Sequence, residues 1–261
     1  GAGFLSSQAA LRAGCGLVTW AVPDDLLPHL AGHVPEVMLA GITRSGEAAV
    51  SSHSADLSRS VYGQWKSTDS TQIAKLAESR DTLAVGPGMG RFEGDSLFVR
   101  SIWENVQLPL VLDADALNAI ADAGDFASWP KRSAAVILTP HPGEMARLLG
   151  VSTQEVQRDR IETARRFASQ HGITLVLKGT HTVIAAPDGR VYVNPTGNAG
   201  MSTGGAGDVL TGIIAGLLAQ GLDAIQAACL GVYLHGEAGD RAAAKRQHMR
   251  SLIAGDILNE L

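Results

Sequence analysis

Apolar residues gather into short runs separated by amphipathic or small-residue segments, and the two kinds alternate over most of the chain. The spacing in "LSSQAALRAG" predicts a helix that stops at Gly14, a residue suited to a helix C-terminus. "GLVTWAV" reads as a strand and "EVMLAGI" as a second one. Residues 43–70 are rich in Ser, Thr and Gly with scattered charge, and predict a polar loop with at most a short helix. The strands "TLAVG" and "LPLVLD" come next, followed by the helix "ADALNAIADAG". After the strand "AAVILTP", "PGEMARLLG" reads as a helix with Pro142 in its first turn. "TQEVQRDRIETARRFASQHG" predicts one longer helix with an apolar face near Ile161, Ala164 and Ala168. "ITLVLKG" is a strand, and "HTVIAAPDGRVYVN" a hairpin turning at Asp188 and Gly189. Three helical segments close the chain, near 207–219, 222–244 and 251–261.

Continuous apolar strands alternating with helices predict an α/β fold, a mostly parallel central sheet with helices on both faces. No repeat or linker divides the chain, so residues 1–261 read as one domain. Gly86 to Gly90, Asp113, His141 and Lys178 all fall at or just past the C-terminal end of a predicted strand. In open α/β sheets that edge is where ligands bind.

Composition narrows the function. The chain has 261 residues, 45% hydrophobic and 18% charged, which suits a folded domain with a sizeable core. Its formal charge of −5 sets nucleic acid aside as a partner. The two cysteines, Cys15 and Cys229, sit among small and apolar residues and read as buried thiols of a reducing compartment. No Cys-x-x-Cys exists, and "HGE" at 235–237 lacks the cysteine pair a zinc deaminase needs. No apolar run reaches the ~18 residues of a membrane span. A cytoplasmic setting is the expectation.

The segment "GNAGMSTGGAGD" at 197–208 carries two competing signatures. "GMSTG" has the form of a nucleophile elbow, but that motif needs a strand immediately before Ser202 and a helix immediately after it. "GGAGD" instead feeds an apolar helix, "VLTGIIAGLL". Glycines at 204, 205 and 207 allow an anion to approach the open N–H groups and partial positive charge of a helix start. There is no Gly-Lys-Ser/Thr for a Walker loop, and "GPGMG" lacks the third glycine of a dinucleotide fingerprint, since position 93 is Glu93. Asp208 has two readings, a helix cap or a base that takes a proton from a hydroxyl attacking phosphorus.

Taken together, "NAGMSTGGAGDVLTGIIAGLLAQG", "LTPHPGEMARLLG", "VLDADALN", "GPGMG" and "AALRAGCGLV" resemble the ADP-dependent NAD(P)H-hydrate dehydratases of the ribokinase-like superfamily. The resemblance spans nearly the whole chain. It implies dehydration of (6S)-NAD(P)H hydrate to NAD(P)H, with ADP as phosphoryl donor, Mg2+ as cofactor, and AMP and phosphate as products. It also implies roles for particular residues. Asp208 matches the catalytic base and contacts the hydrate. Gly205, Ala206 and Gly207 match an anion hole, with Gly207 also near the AMP moiety. Lys178, Gly179, Thr180, His181 and Thr182 match the nucleotide-binding segment. Ala2, Gly88 and His141 match hydrate contacts. Asn198 and Asp113 are candidate supports for phosphate or metal. Asp113 and Asn118 face the same edge without a fixed role, and no direct metal ligand is assigned. Outside the resemblance, His141 would shape a turn, Lys178 would be a solvated strand end, and Glu144 would be a first-turn charge favoured by the helix dipole.

Members of that family begin with a strand and a glycine-rich turn ahead of the segment matching "GAGFLSSQAALRAG". This sequence does not contain them, and their absence would leave an exposed sheet edge. The resemblance further implies a homo-oligomer, often a tetramer, and allows an upstream epimerase domain or partner. The rival readings are a ribokinase-like small-molecule kinase sharing Asp208 and the glycines, a non-catalytic nucleotide sensor, and a serine hydrolase using Ser202.

Overall fold

The computed structural model describes residues 1–43 and 63–261. Helix α1 (Ala2–Arg12) leads into β1 (Thr19–Pro23), the short α2 (Leu27–Leu30) and β2 (Met38–Ile42). Most of the predicted polar loop lies outside the described residues. Its end is ordered into a 3-10 turn and α3 (Ser70–Ala77). Then come β3 (Leu83–Val85), α4 (Asp95–Asn105), β4 (Leu110–Leu112), α5 (Asp115–Ala123) and β5 (Val136–Leu138). Helices α6 (Pro142–Leu149), α7 (Thr153–Arg158) and α8 (Arg160–His171) precede β6 (Thr174–Leu177). The hairpin β7 (Val183–Ala185) and β8 (Val191–Val193) is followed by α9 (Ala206–Ala219), α10 (Ala224–Ala244) and α11 (Ala254–Asn259).

Strands β3 to β8 form one sheet in chain order, and β1 pairs with β2 in a separate parallel pair. The ladders from β3 to β6 are parallel, while β7 and β8 run antiparallel. Alternation of side chains divides the core. Leu110, Leu112, Leu138, Leu175 and Leu177 face helices α3 to α8. Val111, Ile137, Val176 and Ile184 face α9, α10 and α11. Both faces are therefore covered, which is why these strands read as unbroken apolar runs. Between β1 and β3 lies a cavity of about 400 Å3, lined by Trp20, Val22, Leu83, Val85 and Phe98 among others. Among the described residues β3 pairs only with β4, so its other edge faces that cavity.

Several sequence readings differ from the structure. Helix α4 appears between "TLAVG" and "LPLVLD", where only the glycine-rich turn was expected. The long helix over 153–172 is two, broken at Asp159, whose backbone takes φ −149° and ψ 85°. Ala164 and Ala168 of its expected apolar face are fully buried, but Ile161, in the first turn of the second helix, is 43% exposed. Both cysteines are free and half-buried rather than buried.

Helix α9 is buried along nearly all its length and packs closely on α1. That contact depends on small residues. A Cβ on Gly212 would lie 2.1 Å from the Ser6 carbonyl oxygen, and one on Gly216 would lie 2.7 Å from that of Ala10. Gly212→Ala is expected to destabilise the protein toward the upper end of the ~1–3 kcal/mol typical of overpacking, because the opposing atom is backbone. A urea midpoint equal to that of the parent would show that α1 shifts freely.

Candidate active site

Helix α9 packs on β3 and β4, and its first turn meets Asp113 at the end of β4 and Lys178 at the end of β6. Gly86, just past β3, has φ +120°, and a Cβ there would lie 1.7 Å from the Asp113 carbonyl oxygen. Glycine is therefore required where the two strand ends cross. Next to Asp113, Ala114 is held at φ 50°, ψ −116°, an uncommon conformation for an L residue with a side chain. The turn turns the Asp113 side chain under α9. Asp113 is 1% exposed and accepts two bonds, from Lys178 Nζ at 2.6 Å and from Thr211 Oγ1 at 2.8 Å. Lys178 Nζ also lies 3.8 Å from Glu144 Oε2. Lys178 is thus a paired, mostly buried cation and not a solvated strand end.

Glu144 and His141 form a capping box at the start of α6. The Gly143 and Glu144 N–H groups donate to His141 Nδ1 at 3.0 and 3.2 Å, and the His141 N–H donates to Glu144 Oε2 at 2.7 Å. Because Nδ1 accepts, the ring proton sits on Nε2, 3.4 Å from Glu144 Oε1. His141 shapes a turn and still presents an exposed ring edge at the strand end. Glu144 is more than a first-turn charge. Burial pushes its carboxyl above the ordinary value, and Lys178 opposes that shift.

Helix α9 begins at Ala206, with Gly205 as N-cap at φ +89°. Asp208 is the third helical residue, and no side chain caps this helix. The cap reading is therefore corrected: capping needs a side chain at the position Gly205 holds. Unlike Asp113 and Glu144, Asp208 makes no hydrogen bond or ion pair among the described residues. Burial raises its pKa, the Asp113 charge adds to the rise, and Lys178 opposes it. The Gly207 and Asp208 N–H groups have no acceptor among the described residues, while Ala206 N–H points at the Thr203 carbonyl at a long 3.4 Å. These are the open donors of a helix start. A Cβ on Gly207 would lie 3.3 Å from Lys178 Nζ, so glycine lets the ammonium reach the open donors.

Other expected residues fall around this centre. Ala2 and Gly88 are neighbours: a Cβ on Gly88, at φ +67°, would lie 3.0 Å from that of Ala2. Lys178 to Thr182 connect β6 to β7, with Gly179 at φ +141° and His181 at φ 53°. Asn118 lies half-buried on α5. Asn198 accepts from Gly200 N–H at 3.0 Å and donates to the Gly239 carbonyl and Asp240 at 3.0 and 2.8 Å, which ties the 197–201 loop to α10. Ser202 follows a 3-10 turn, not a strand, which removes the elbow. His235 of "HGE" is half-buried against the Ala206 backbone, and desolvation pushes its pKa down to about 4.

Thr211 is the residue that sequence reading missed. It is 0% exposed inside an otherwise apolar helix, and a lone buried hydroxyl needs a partner. That isolation was the available signal.

Among the described residues no three His, Cys, Asp or Glu side chains gather as metal ligands. Magnesium keeps several waters and binds through one or two carboxylates plus substrate phosphates. The site suits an ion brought in on a nucleotide's phosphates, with Asp208 the carboxylate of this edge that has no hydrogen bond or ion pair among the described residues.

A family model described as NAD(P)H-hydrate dehydratase matches residues 1–260. The chain belongs to the NAD(P)H-hydrate dehydratase family. It is 46% identical over 261 residues to the bifunctional NAD(P)H-hydrate repair enzyme Nnr of Moorella thermoacetica, covering all of this chain and 46% of that protein. It therefore spans about half the length of that relative. It is 38% identical to the ADP-dependent (S)-NAD(P)H-hydrate dehydratase of Neisseria meningitidis, covering 98% of this chain and 78% of that one. Its structure resembles that of the Bacillus subtilis ADP/ATP-dependent NAD(P)H-hydrate dehydratase co-crystallized with ATP and Mg2+, with TM-score 0.76, 30% identity, and coverage of 99% of this chain and 82% of the other. The mostly parallel sheet with helices on both faces is thus a ribokinase-like fold.

Proposed function

We propose that this domain removes water from the (6S)-hydrate of NADH or NADPH, with ADP as phosphoryl donor and Mg2+ as cofactor. The observation that carries the reading is Asp208: a half-buried, unpaired carboxylate with a raised pKa, beside open helix N–H groups and a fixed lysine. A raised pKa makes the carboxylate a stronger proton acceptor than an ordinary aspartate. Open donors at a helix start stabilise phosphate charge.

The chemistry then balances. Asp208 takes the proton of the ring hydroxyl, and the hydroxyl oxygen attacks the terminal phosphorus of ADP. The P–O bond to AMP breaks, and AMP leaves with the electron pair. The Gly207 and Asp208 N–H groups hold the transferring phosphoryl, and Lys178 offsets its charge. Magnesium, when bound, neutralises nucleotide phosphate charge. The carbon–oxygen bond then breaks as the ring nitrogen donates electrons. Phosphate departs, and loss of a proton from the adjacent carbon restores the double bond. Hydroxide is a poor leaving group and phosphate a good one, which explains why a phosphoryl-transfer fold suits a dehydration.

The test is to mix the protein with NADH hydrate and Mg2+, with and without ADP, and follow the return of NADH absorbance. Nucleotide-dependent recovery with AMP release is expected. A stable phosphorylated product would indicate a small-molecule kinase, and ADP binding without turnover a sensor.

Three broader features belong to the same proposal. The length and bifunctional character of the Moorella thermoacetica relative support an epimerase domain or partner working with this one. Exposed Tyr192, Val193, Leu230 and Tyr233 on β8 and α10 support self-association, with a tetramer as the expected state. The free cysteines support a cytoplasmic setting, and among the described residues no helix is long and apolar enough to cross a membrane.

A further inference from the structure

Arg160 holds an unusual position. Its guanidinium donates to three consecutive-region carbonyls: Thr180 at 2.6 Å, Leu177 at 2.9 Å and Lys178 at 3.2 Å. The loop wraps it closely, since a Cβ on Gly179 would lie 3.0 Å from its Nη2. Among the described residues it has no carboxylate partner, and its buried Nε has no acceptor. Arg160 is also the first residue of α8, where a cation opposes the helix dipole. Helix stability therefore does not explain it. The break at Asp159 starts the new helix there, and the Asp159 side chain caps it by accepting from Glu162 N–H at 2.9 Å. The loop so gripped contains two positive-φ residues, Gly179 and His181 at φ +141° and 53°. Such conformations persist where surrounding contacts hold them.

We propose that Arg160 is a positioning residue for nucleotide binding: its guanidinium clamps the 177–180 carbonyls, shapes the Lys178–Thr182 loop to receive a nucleoside diphosphate, and leaves its charge uncompensated for the phosphates. The inference rests on the nucleotide role given to that loop above. The guanidinium fork matters as much as the charge. A lysine is a point charge on a flexible stem and does not reproduce three fixed bonds.

The experiment compares the parent with Arg160→Lys and Arg160→Ala, using ADP as probe. ADP affinity is measured by calorimetry, KM for ADP and for NADH hydrate by turnover, and folding by thermal melting. Both variants are expected to weaken ADP binding about tenfold or more, with KM for the hydrate within about twofold of the parent, and methylguanidinium is expected to restore part of the ADP affinity of Arg160→Ala. A purely structural role would not give this split or this rescue. Folded variants that bind ADP as the parent does would overturn the proposal. So would failure of both variants to fold, since Arg160 would then serve the fold itself. A parent that binds no ADP would instead defeat the nucleotide reading of the loop, and the inference with it.

Discussion

Asp208→Asn is expected to lower turnover by ~10² to 10⁴, the usual range for loss of a general base, while ADP affinity stays close to that of the parent. The amide fills the same space on the first turn of α9 and leaves the open N–H groups and Lys178 in place, but it cannot accept the hydroxyl proton. Single-turnover rates together with ADP calorimetry separate the two effects, and full activity in the variant would remove Asp208 from the reaction. The raised pKa of Asp208 adds two consequences. The base must be ionised, so activity should fall with acid through a limb lying above the ordinary aspartate value of about 3.9. Stability moves in the opposite sense. A carboxyl whose folded pKa exceeds its unfolded one binds the proton more tightly when folded, so its contribution is fully present below the unfolded pKa and is lost as pH rises through the folded one. Asp208→Asn should therefore melt higher than the parent at neutral pH, with the difference vanishing once Asp208 is protonated in both the folded and the unfolded state. The site gives up stability for reactivity.

Asp113→Ala has the largest expected effect on stability, about 3 kcal/mol, the low end for breaking a buried ion pair. The low end applies because Lys178 keeps 17% side-chain exposure. The variant leaves the ammonium without its 2.6 Å partner and the Thr211 hydroxyl, on a fully buried residue, without its 2.8 Å acceptor. It should also reduce activity by freeing Lys178 to swing away from Gly207. Denaturant unfolding of Asp113→Ala, Lys178→Met and the double variant measures the coupling. The double variant should be more stable than the sum of the single losses implies. Strict additivity would mean that the pair does not act as a unit.

Much of this arrangement is legible in the sequence. The apolar runs of β3 to β6 are buried on both faces and therefore unbroken. Asp188 and Gly189 mark the β7–β8 turn by their own conformational preferences. Gly86, Asp113, His141 and Lys178 can be placed on one sheet edge once the strands are parallel, because that edge collects the C-terminal end of each strand. Other features depend on partners far away in the chain. Lys178 meets Asp113 across 65 positions, and Thr211 meets it across 98. Neither pairing has a local signal beyond an isolated polar residue. Asn198 lies inside the motif, but its tie to Gly239 and Asp240 is made only when α10 packs beside the loop. The break at Asp159 likewise interrupts a segment whose composition favours a helix throughout. Local propensity and periodicity, which act over a few residues, determined the strands, the turns and the glycine-rich helix start. Only packing decided that Asp208 is free, Asp113 is paired and Arg160 grips a loop, since hydrogen bonds and desolvation act between side chains that folding alone brings together.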